Sequence, residues 1–588
     1  MITEDQNYKE LFTDSKTVRA ENVSLWRDIS SHCGVTINEQ FLESAESKSA
    51  SDPLDEDIYD PTAALAVTQS GDYLDGIMWG TGAEAVTVEP SEFVLQKADK
   101  SAIKSYYEFR TKQLLANMNA REAGFSAARK PYFYSQMSFG TSGIGVFKNA
   151  DYPEKEENPY FFRSFGVDSM TIAEGKNGLI DIVFLVYHWK VCQIMEEFDY
   201  NPEAEEQILP KVIIDAYNTG EYNKRFTLVQ GVVPRSSYSR DLKGKNGTKY
   251  KGVWFLESEA DKIFLTEDFR RLPVGVCRAI KIQGQAWGRS SGSLLISTIK
   301  GTNYMLDQAI QTIEKMNDPA LGTYNNAMFG DSVLDTSAGG LVTFQESMIA
   351  KGQNPMFQLH DVGDPTGLIS FLLPYLNDKI TTGFKVDMLL DFSSAKEMTA
   401  TESMQRYAIR GKSLAGLLGQ EKNEMLDVVV ERCIQIEDDN GLAGVDPEDL
   451  AMIKAKADIN RSDMVIPEAV LEAMKAGKRW YKITYNNELE KMVKTEGLER
   501  IMQLINGIGI LISLYPAMVE AVQWYDLFND INEALGVSYI KDADEFKQII
   551  TDQAEIRQQG LAIQAAQAGA DIGSTISKGQ KDGADARK

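Results

Sequence analysis

Residues that could carry out chemistry are sparse in this chain of 588 residues. Its three histidines, His32, His188 and His360, lie far apart and lack the H-E-x-x-H or H-x-E spacing of a metal site. His188 stands in an aromatic, strand-like run, "VYHWK", where a structural role is the expectation. The histidines therefore predict neither a metal site nor a catalytic acid–base pair.

Two short motifs resemble nucleotide-binding loops only in part. "RGKSLAG" contains Gly411-Lys412-Ser413, but Arg406 stands where a P-loop has its first glycine, and the surrounding pattern is helical. "GTSGIG", residues 140–145, does not fit the dinucleotide fingerprint and is interpreted as a turn. With 86 acidic residues, pairs of carboxylates are expected by chance. We therefore predict no catalytic, cofactor-binding or metal-binding residue, and no enzyme; an acidic site within 130–285 is the enzymatic alternative.

The charge of the chain limits what it can bind tightly. Its formal net charge is −25, whereas tight nucleic-acid binding requires clustered lysines and arginines. An acidic surface repels phosphates, which is a property that a conduit for DNA needs and a DNA-binding protein does not.

Cysteine usage and hydropathy indicate the compartment. The four cysteines are scattered without a C-x-x-C motif and predict free thiols in a reducing environment. The polar start, "MITEDQNYKE", predicts no secretory signal. Residues 501–519 carry no charge and meet the bare length of a spanning helix, but polar residues and Pro516 interrupt them, which favours a buried helix. A membrane-associated pore or DNA-ejection protein remains the alternative reading of this stretch.

The first half of the chain changes in character along its length. Helical patterns are predicted for residues 15–50, for 61–80, where Pro61 suits a first helical turn, and for 101–125. From about 130 to 285, short runs rich in aromatic and β-branched residues predict strands: "YFYSQMSFG", "GIGVFKN", "LIDIVFLVYHWKV", "FTLVQGVVPR" and "KGVWFLES". Asn246-Gly247 is predicted to form a hairpin turn. This alternation predicts an α+β region.

A long amphipathic helix is predicted at 290–318, ended by Pro319. Apolar or small residues recur at alternating spacings of three and four, as in a helix that packs side by side with neighbours. The seam of this helix includes Leu295, Ile299, Leu306 and Ile313.

A turn-rich insert separates this helix from a second one. Residues 319–365 predict short strands, and a helix with Pro374 near its start is predicted at 374–392. A short polar loop then leads to Thr399 and Glu402, which form the capping box of a long helix ending near 438. The remainder is predicted to be mostly helical.

The order of these segments resembles the portal proteins of tailed bacteriophages, in particular the head-to-tail connectors of short-tailed phages. Four segments carry the resemblance: "YDPTAALAVTQSGDYLDGIMWG", "AEGKNGLIDIVFLVYHWKVCQIMEEF", "WGRSSGSLLISTIKGTNYMLDQAIQTIEKMNDP" and "EMTATESMQRY". Trp287 stands before Gly288-Arg289-Ser290 where a tyrosine is expected.

The resemblance implies a portal-type fold assembled as a dodecameric ring. It assigns the chain to a wing at 1–285, stem helix 1 at 286–318, a clip at 319–365, stem helix 2 at 366–392, a tunnel loop at 393–398, a long wing helix with its return at 399–464, and a crown at 465–588.

The same resemblance implies a channel at one capsid vertex through which double-stranded DNA is packaged and later ejected. The tunnel loop would contact DNA lightly through Ser393, Ser394 and Lys396. The clip, with Lys351 among acids such as Asp331 and Asp335, would face the terminase motor and the tail adaptors. Capsid or scaffolding proteins are further implied partners, with no membrane and no cofactor. The implied location is the virion, after assembly in the host cytoplasm.

Overall fold

The computed structural model describes residues 4–35, 58–79, 85–98, 100–153, 158–200, 208–235, 248–259, 262–317, 321–323, 356–358, 366–386, 416–444 and 465–485. All of them belong to one compact unit. Helices and strands are mixed in it, which confirms the predicted α+β class.

Three helices begin the described chain: α1 (Glu4–Ala20), α2 (Val23–Cys33) and α3 (Thr62–Trp79). The helical pattern predicted from residue 15 thus begins earlier and breaks after Ala20, and residues 36–50 lie outside the described part. The helix expected at 61–80 is confirmed as α3. The Asp60 carboxylate accepts hydrogen bonds from the backbone N–H (3.1 Å) and hydroxyl (2.6 Å) of Thr62, which fixes its start.

A second helical layer follows strand β1 (Val86–Pro90) and comprises α4 (Glu92–Leu95), α5 (Lys100–Asn119) and α6 (Phe125–Phe139). The helix predicted at 101–125 therefore ends at Asn119. The strand predicted for "YFYSQMSFG" is wrong, since this run lies in α6. Its aromatic content favours a strand locally, but the buried positions Phe125, Ala128 and Tyr132 recur at helical spacing.

A small antiparallel sheet follows, in the order β3-β2-β9: β2 (Thr141–Lys148), β3 (Tyr160–Phe165) and β9 (Val274–Arg278). The turn predicted for 140–145 is wrong beyond its first residue. Gly140 has φ +85° and ends α6, and β2 begins at Thr141. A Cβ on Gly140 would lie 2.4 Å from the Arg289 carbonyl carbon, so glycine is required there.

The larger sheet has five antiparallel strands in sequential order: β4 (Met170–Glu174), β5 (Ile180–Lys190), β6 (Arg225–Pro234), β7 (Tyr250–Leu256) and β8 (Ile263–Phe269). Two short helices, α7 (Val191–Glu197) and α8 (Lys211–Asn218), lie between β5 and β6. The strands predicted around "LIDIVFLVYHWKV", "FTLVQGVVPR" and "KGVWFLES" are confirmed. Asn246 and Gly247 lie outside the described residues.

Helix α1 covers one face of the larger sheet. Tyr8 and Phe12 pack against alternate residues of the central strands, and the ring of Phe12 meets those of Phe184 and Phe255 edge-on at 5.4 and 5.5 Å. Residues two apart on a strand share a face, so the alternation of Ile182, Phe184 and Val186 builds this core.

Beyond the sheets, two helices flank a short strand pair: α9 (Ser291–Asn317), β10 (Leu321–Thr323), β11 (Met356–Gln358) and α10 (Thr366–Gly383). The first helix agrees with the one predicted at 290–318. The second differs from its predicted bounds, 374–392: it begins at Thr366, contains Pro374 in its interior and ends at Gly383. Lys385 then has φ +61°, a left-handed conformation that does not continue a helix.

The last described segments return to the N-terminal layers. Residues 416–421 are helical, Lys422–Leu426 form a π-helical turn, and α11 (Asp427–Asp439) follows, in agreement with a long helix that ends near 438. After α12 (Glu468–Lys475), strand β12 (Tyr481–Tyr485) pairs antiparallel with β1. The remainder that was predicted to be mostly helical thus also contains a strand, and residues 465–485 belong to the same compact unit as the N-terminal part.

A buried ion cluster joins α5 to the end of α11. The Arg110 guanidinium, 1% exposed, lies 2.7 Å from the Asp438 carboxylate and 3.4 Å from that of Glu437. Asn117 and Tyr160 donate to the Glu437 carboxylate at 2.8 and 3.1 Å. The carboxylates are thus paired and hydrogen-bonded, as buried charges require.

Candidate functional site: the α9–α10 helix pair and its anchor

The start of α9 is fixed by reciprocal hydrogen bonds. The Ser290 hydroxyl accepts from the backbone N–H of Ser293 at 2.8 Å, and the Ser293 hydroxyl accepts from that of Ser290 at 3.0 Å. Ser290 also donates to the Ser138 carbonyl at the end of α6. The Gly-Arg-Ser turn of the sequence therefore ties the helix to the folded body.

One face of α9 is packed within the chain. Ile299, Thr302 and Ala309 are buried, and Ile380 and Phe384 of the α10 segment are buried opposite. Lys300 pairs with Asp28 of α2 at 2.6 Å. The two helices run antiparallel, because Leu295 near the start of α9 contacts Gly383 at the end of α10.

The pair exposes apolar side chains along its length, beginning with Leu294 and Tyr304 of α9, which are 60% and 66% exposed. On α9, Ile313 and Met316 are 50% and 44% exposed, and on α10, Phe371 and Tyr375 are 73% and 53% exposed. The strand pair β10–β11 lies between the two helices in the chain, so Ile313, Met316 and Phe371 lie toward that end of the pair, whereas Leu294 lies at the anchored end. Contiguous exposed apolar patches on a folded protein are typical of interaction surfaces.

The residues of the predicted seam therefore differ in burial along α9. Leu295 and Ile299 contact the chain's own residues, Leu306 is half-buried, and Ile313 is exposed. A heptad pattern reports which face of a helix is apolar, but the pattern does not distinguish a neighbour in the same chain from one in another copy.

The helix pair is electrically neutral, unlike the chain as a whole. Within α9 and α10, three lysines balance three acids: Lys300, Lys315 and Lys379 against Asp307, Glu314 and Asp378. Copies of this pair can therefore approach one another without the repulsion expected between chains of net charge −25.

The remaining predicted site residues lie outside the described part of the chain. They are the tunnel-loop residues Ser393, Ser394 and Lys396, the capping residues Thr399 and Glu402, and the clip residues Asp331, Asp335 and Lys351.

The long helix is anchored to β9 by a contact that sequence reasoning missed. Arg278, with a fully buried side chain, donates from Nη2 to Glu424 Oε1 at 2.5 Å and from Nε to Glu424 Oε2 at 3.3 Å, and it also pairs with Glu174. Glu424 lies in the π-helical turn. No local pattern identifies this pair, because its members are 146 residues apart.

The π-helical turn also lies close against β9, and β12 contacts the residue that follows it. A Cβ on Gly275 of β9 would lie 2.8 Å from the Met425 carbonyl oxygen, so the backbones touch there. Tyr485 at the end of β12 donates to the Asp427 carboxylate at 2.7 Å. A π-helical turn is uncommon and is often found at functional positions, and here contacts on both sides determine its register.

A buried carboxyl precedes the turn. Tyr132 donates to Glu421 at 2.6 Å, and burial raises the pKa of Glu421 to about 7. Cys277 lies beside it, and burial raises the pKa of that thiol well above its usual value, so the thiol stays protonated. Buried thiols of this kind are structural rather than reactive.

The histidines hold structural positions where they are described. His32 Nδ1 lies 2.9 Å from the Asp28 carbonyl oxygen, and His188 Nδ1 lies 3.0 Å from the Thr227 hydroxyl, as expected of a structural strand residue. Within the described ranges, no group of three or more histidine, cysteine or acidic side chains is placed to hold a metal ion. No helix of the described part is long and apolar enough to cross a membrane; residues 501–519 lie outside that part.

The described part of the chain combines an α+β body with a helix pair that exposes apolar side chains. A family model described as bacteriophage head to tail connecting protein matches residues 5–539. The chain therefore belongs to the family of bacteriophage head-to-tail connecting proteins. A probable portal protein of Bordetella phage BPP-1 is 19% identical over 446 residues, which cover 74% of this chain and 73% of that protein. The resemblance to portal proteins noted in the sequence is thereby confirmed.

Proposed function

We propose that this protein forms a closed, dodecameric ring at one vertex of the capsid, and that the ring is the channel for packaging and ejection of double-stranded DNA. The observation that carries the proposal is the α9–α10 pair, which is anchored to the folded body and exposes apolar side chains along both of its helices. Membership of the head-to-tail connecting family supports it.

The position of the exposed residues supports the proposed ring. Ile313 and Met316 lie on α9, and Phe371 and Tyr375 lie on α10, so one copy offers both helices of the pair to its neighbours. Identical subunits that use two different surfaces in a head-to-tail contact form a ring when the rotation closes. In the ring, α9 and α10 are the stem helices, and their neutral charge permits close packing.

The channel itself conducts DNA without gripping it. An acidic subunit repels phosphate, and the acidic residues of 319–365 keep the exit repulsive. The loop 393–398, with Ser393, Ser394 and Lys396, steadies the duplex by hydrogen bonds and one charge per subunit. The ring has no chemistry of its own in this proposal, and ATP is hydrolysed by the terminase motor that docks on it.

The parts of the chain take distinct roles in this proposal. The sheets and helices before residue 286, together with residues 399–464, form the wing. Residues 319–365 form the clip that meets terminase and later the tail adaptors, and residues 465–588 form the crown. Capsid or scaffolding proteins contact the ring during assembly in the host cytoplasm, and the assembled protein remains in the virion.

Negative-stain microscopy of the purified full-length protein tests the architecture. We expect rings with a central hole, with class averages showing twelve-fold symmetry, and mass photometry giving the matching mass. A particle without a hole contradicts the channel. A monomer that binds liposomes supports a membrane-associated pore or ejection protein instead.

A further inference from the structure

A groove with a volume of about 610 Å³ lies between α1 and the edge of the larger sheet. Lys16 and Arg19 reach it from α1, Arg225 stands at the start of β6, and Glu257 follows β7. Apolar side chains, among them Phe12 and Phe226, complete its walls. No role in the proposed channel involves this groove.

The groove concentrates positive charge in an acidic protein. Lys16 Nζ lies 3.1 Å from Glu257 Oε1, with both side chains about one-third exposed. Arg19 is only 4% exposed and donates to the Met170 carbonyl at 3.4 Å, and Arg225 is exposed at the mouth. Three cations therefore face one carboxylate, whereas the chain carries 86 acids against 61 lysines and arginines.

The positive charge of the groove also acts on a neighbouring histidine. His188 lies beside Thr227 in the groove wall, and its pKa is lowered first by burial and then by the charge of Arg225. The groove thus favours the neutral imidazole and attracts anions from outside.

We propose that this groove receives a carboxylate-bearing segment of the neighbouring copy in the ring. The proposal rests on the ring proposed above. Each copy carries a net charge of −25, so identical copies repel one another, and their contact is favoured where a basic surface meets an acidic one. The groove supplies such a basic surface on a described face of the subunit.

The lining favours a peptide over DNA. Val186, Phe226 and Leu256 give the groove apolar walls between its cations, which suit an acidic segment with apolar side chains. Its volume is that of a site for a few side chains, and duplex DNA is contacted along extended surfaces instead.

A charge reversal at the mouth tests the contact. Arg225→Glu alters an exposed side chain and leaves its backbone pairing with Lys190 in place, and Lys211→Glu on α8 makes the same charge change at an exposed position outside the groove. We expect Arg225→Glu to weaken association between copies by about tenfold or more by mass photometry, with a smaller difference at high salt. Rings that form equally from both variants overturn the proposal.

A photo-crosslinker inside the groove identifies the occupant. With Phe226→p-benzoylphenylalanine in the full-length chain, purified or recovered in virions, we expect a crosslinked species of twice the subunit mass whose attached peptide is acidic. Crosslinks to DNA, to another virion protein or to none overturn the proposal. If the wild-type protein never oligomerises, both the ring and this contact are refuted. If Arg225→Glu forms intact rings, only this contact is refuted and the ring stands.

Discussion

Arg278 and Glu424 form a two-point ion pair inside the protein, joining the last strand of the small sheet to the π-helical turn of the long helix. The side chain of Arg278 is fully buried and that of Glu424 is 7% exposed. The backbone N–H of Arg278 also donates to Glu424 at 3.1 Å. Glu424 thus accepts hydrogen bonds from both the backbone and the side chain of Arg278. These bonds fix the π-helical turn against strand β9.

Removal of the arginine is expected to destabilise the fold. Arg278→Met leaves the buried carboxylate of Glu424 without its cation and leaves Glu174 with Lys281 alone, at a cost of about 3–5 kcal/mol in the free energy of unfolding. Arg278→Lys is expected to recover little, since an ammonium cannot make the two-point contact. Urea denaturation measures both. Arg270→Met is the control, since its exposed pair with Asp439 contributes less than about 1 kcal/mol; equal midpoints for the two methionine variants would contradict the anchor.

Close backbone contact at the turn gives a second prediction. Gly275→Ala places a methyl group 2.8 Å from the Met425 carbonyl oxygen, and we expect a loss of about 1–3 kcal/mol in unfolding free energy. Gly76→Ala in α3 has no neighbouring atom within 4 Å and should raise stability by up to about 1 kcal/mol. Thermal unfolding of both variants should show shifts of opposite sign. An unchanged or raised midpoint for Gly275→Ala would mean that the turn tolerates movement at Met425.

The buried Glu421 predicts a pH dependence of stability. Its pKa is raised from 4.5 to about 7 in the folded protein, so the folded state binds the proton more tightly than the unfolded state. The associated stability is complete below pH 4.5 and is lost as the pH rises to about 7. Glu421→Gln keeps a neutral side chain opposite Tyr132 and is expected to be more stable than wild type at pH 8, by up to about 3 kcal/mol.

The comparison at low pH is the control for Glu421. Near pH 5 the wild-type carboxyl is mostly protonated, so the advantage of Glu421→Gln should shrink. Asp438, whose pKa burial also raises to about 7, contributes the same trend to both proteins and cancels in the difference. A constant difference between pH 5 and pH 8 would show that Glu421 does not titrate in this range.

Substitutions along α9 separate folding from assembly. Ile299→Asp puts a charge into the chain's own core and should prevent stable folding. Ile313→Asp alters a half-exposed side chain, and we expect a folded subunit that forms rings poorly. Leu306→Asp, between them, is expected to prevent ring formation because its charge would be buried between neighbours. Circular dichroism reports folding and mass photometry reports rings. Intact rings from Leu306→Asp or Ile313→Asp would refute the assignment of this seam to copy contacts.

The tunnel-loop proposal has its own test. Lys396→Ala removes one positive charge per subunit from the loop, and we expect normal rings with altered DNA retention or packaging. Packaging yield in phage that carries the variant is the measurement, and ring formation by the purified protein is the control. Failure to form rings would show that Lys396 has a structural role.

Much of the architecture was determined by the sequence alone. The helices α3 and α9 follow their hydrophobic periods, because period and burial are linked wherever one face of a helix is packed. The strands β5, β6 and β7 follow their content of aromatic and β-branched residues, and they are buried almost continuously. The order of the segments carried the resemblance to portal proteins. The free cysteines, predicted from their spacing, are confirmed in the structure.

Other features were decided only by tertiary structure. The aromatic run in α6 fits a strand as well as a helix by its local sequence, and the burial of Tyr132 and Phe133 selects the helix. Pro374 likewise fits the first turn of a helix, but the structure places it inside a helix that begins at Thr366. The pairing of β1 with β12 joins residues almost 400 positions apart, as the bond between Glu89 and Thr484 shows. Local sequence patterns report periodicity and propensity, whereas such contacts depend on where distant segments meet in space. For the same reason the anchor of Arg278 and the division of the α9 seam between its own chain and its surroundings became visible only in the folded protein.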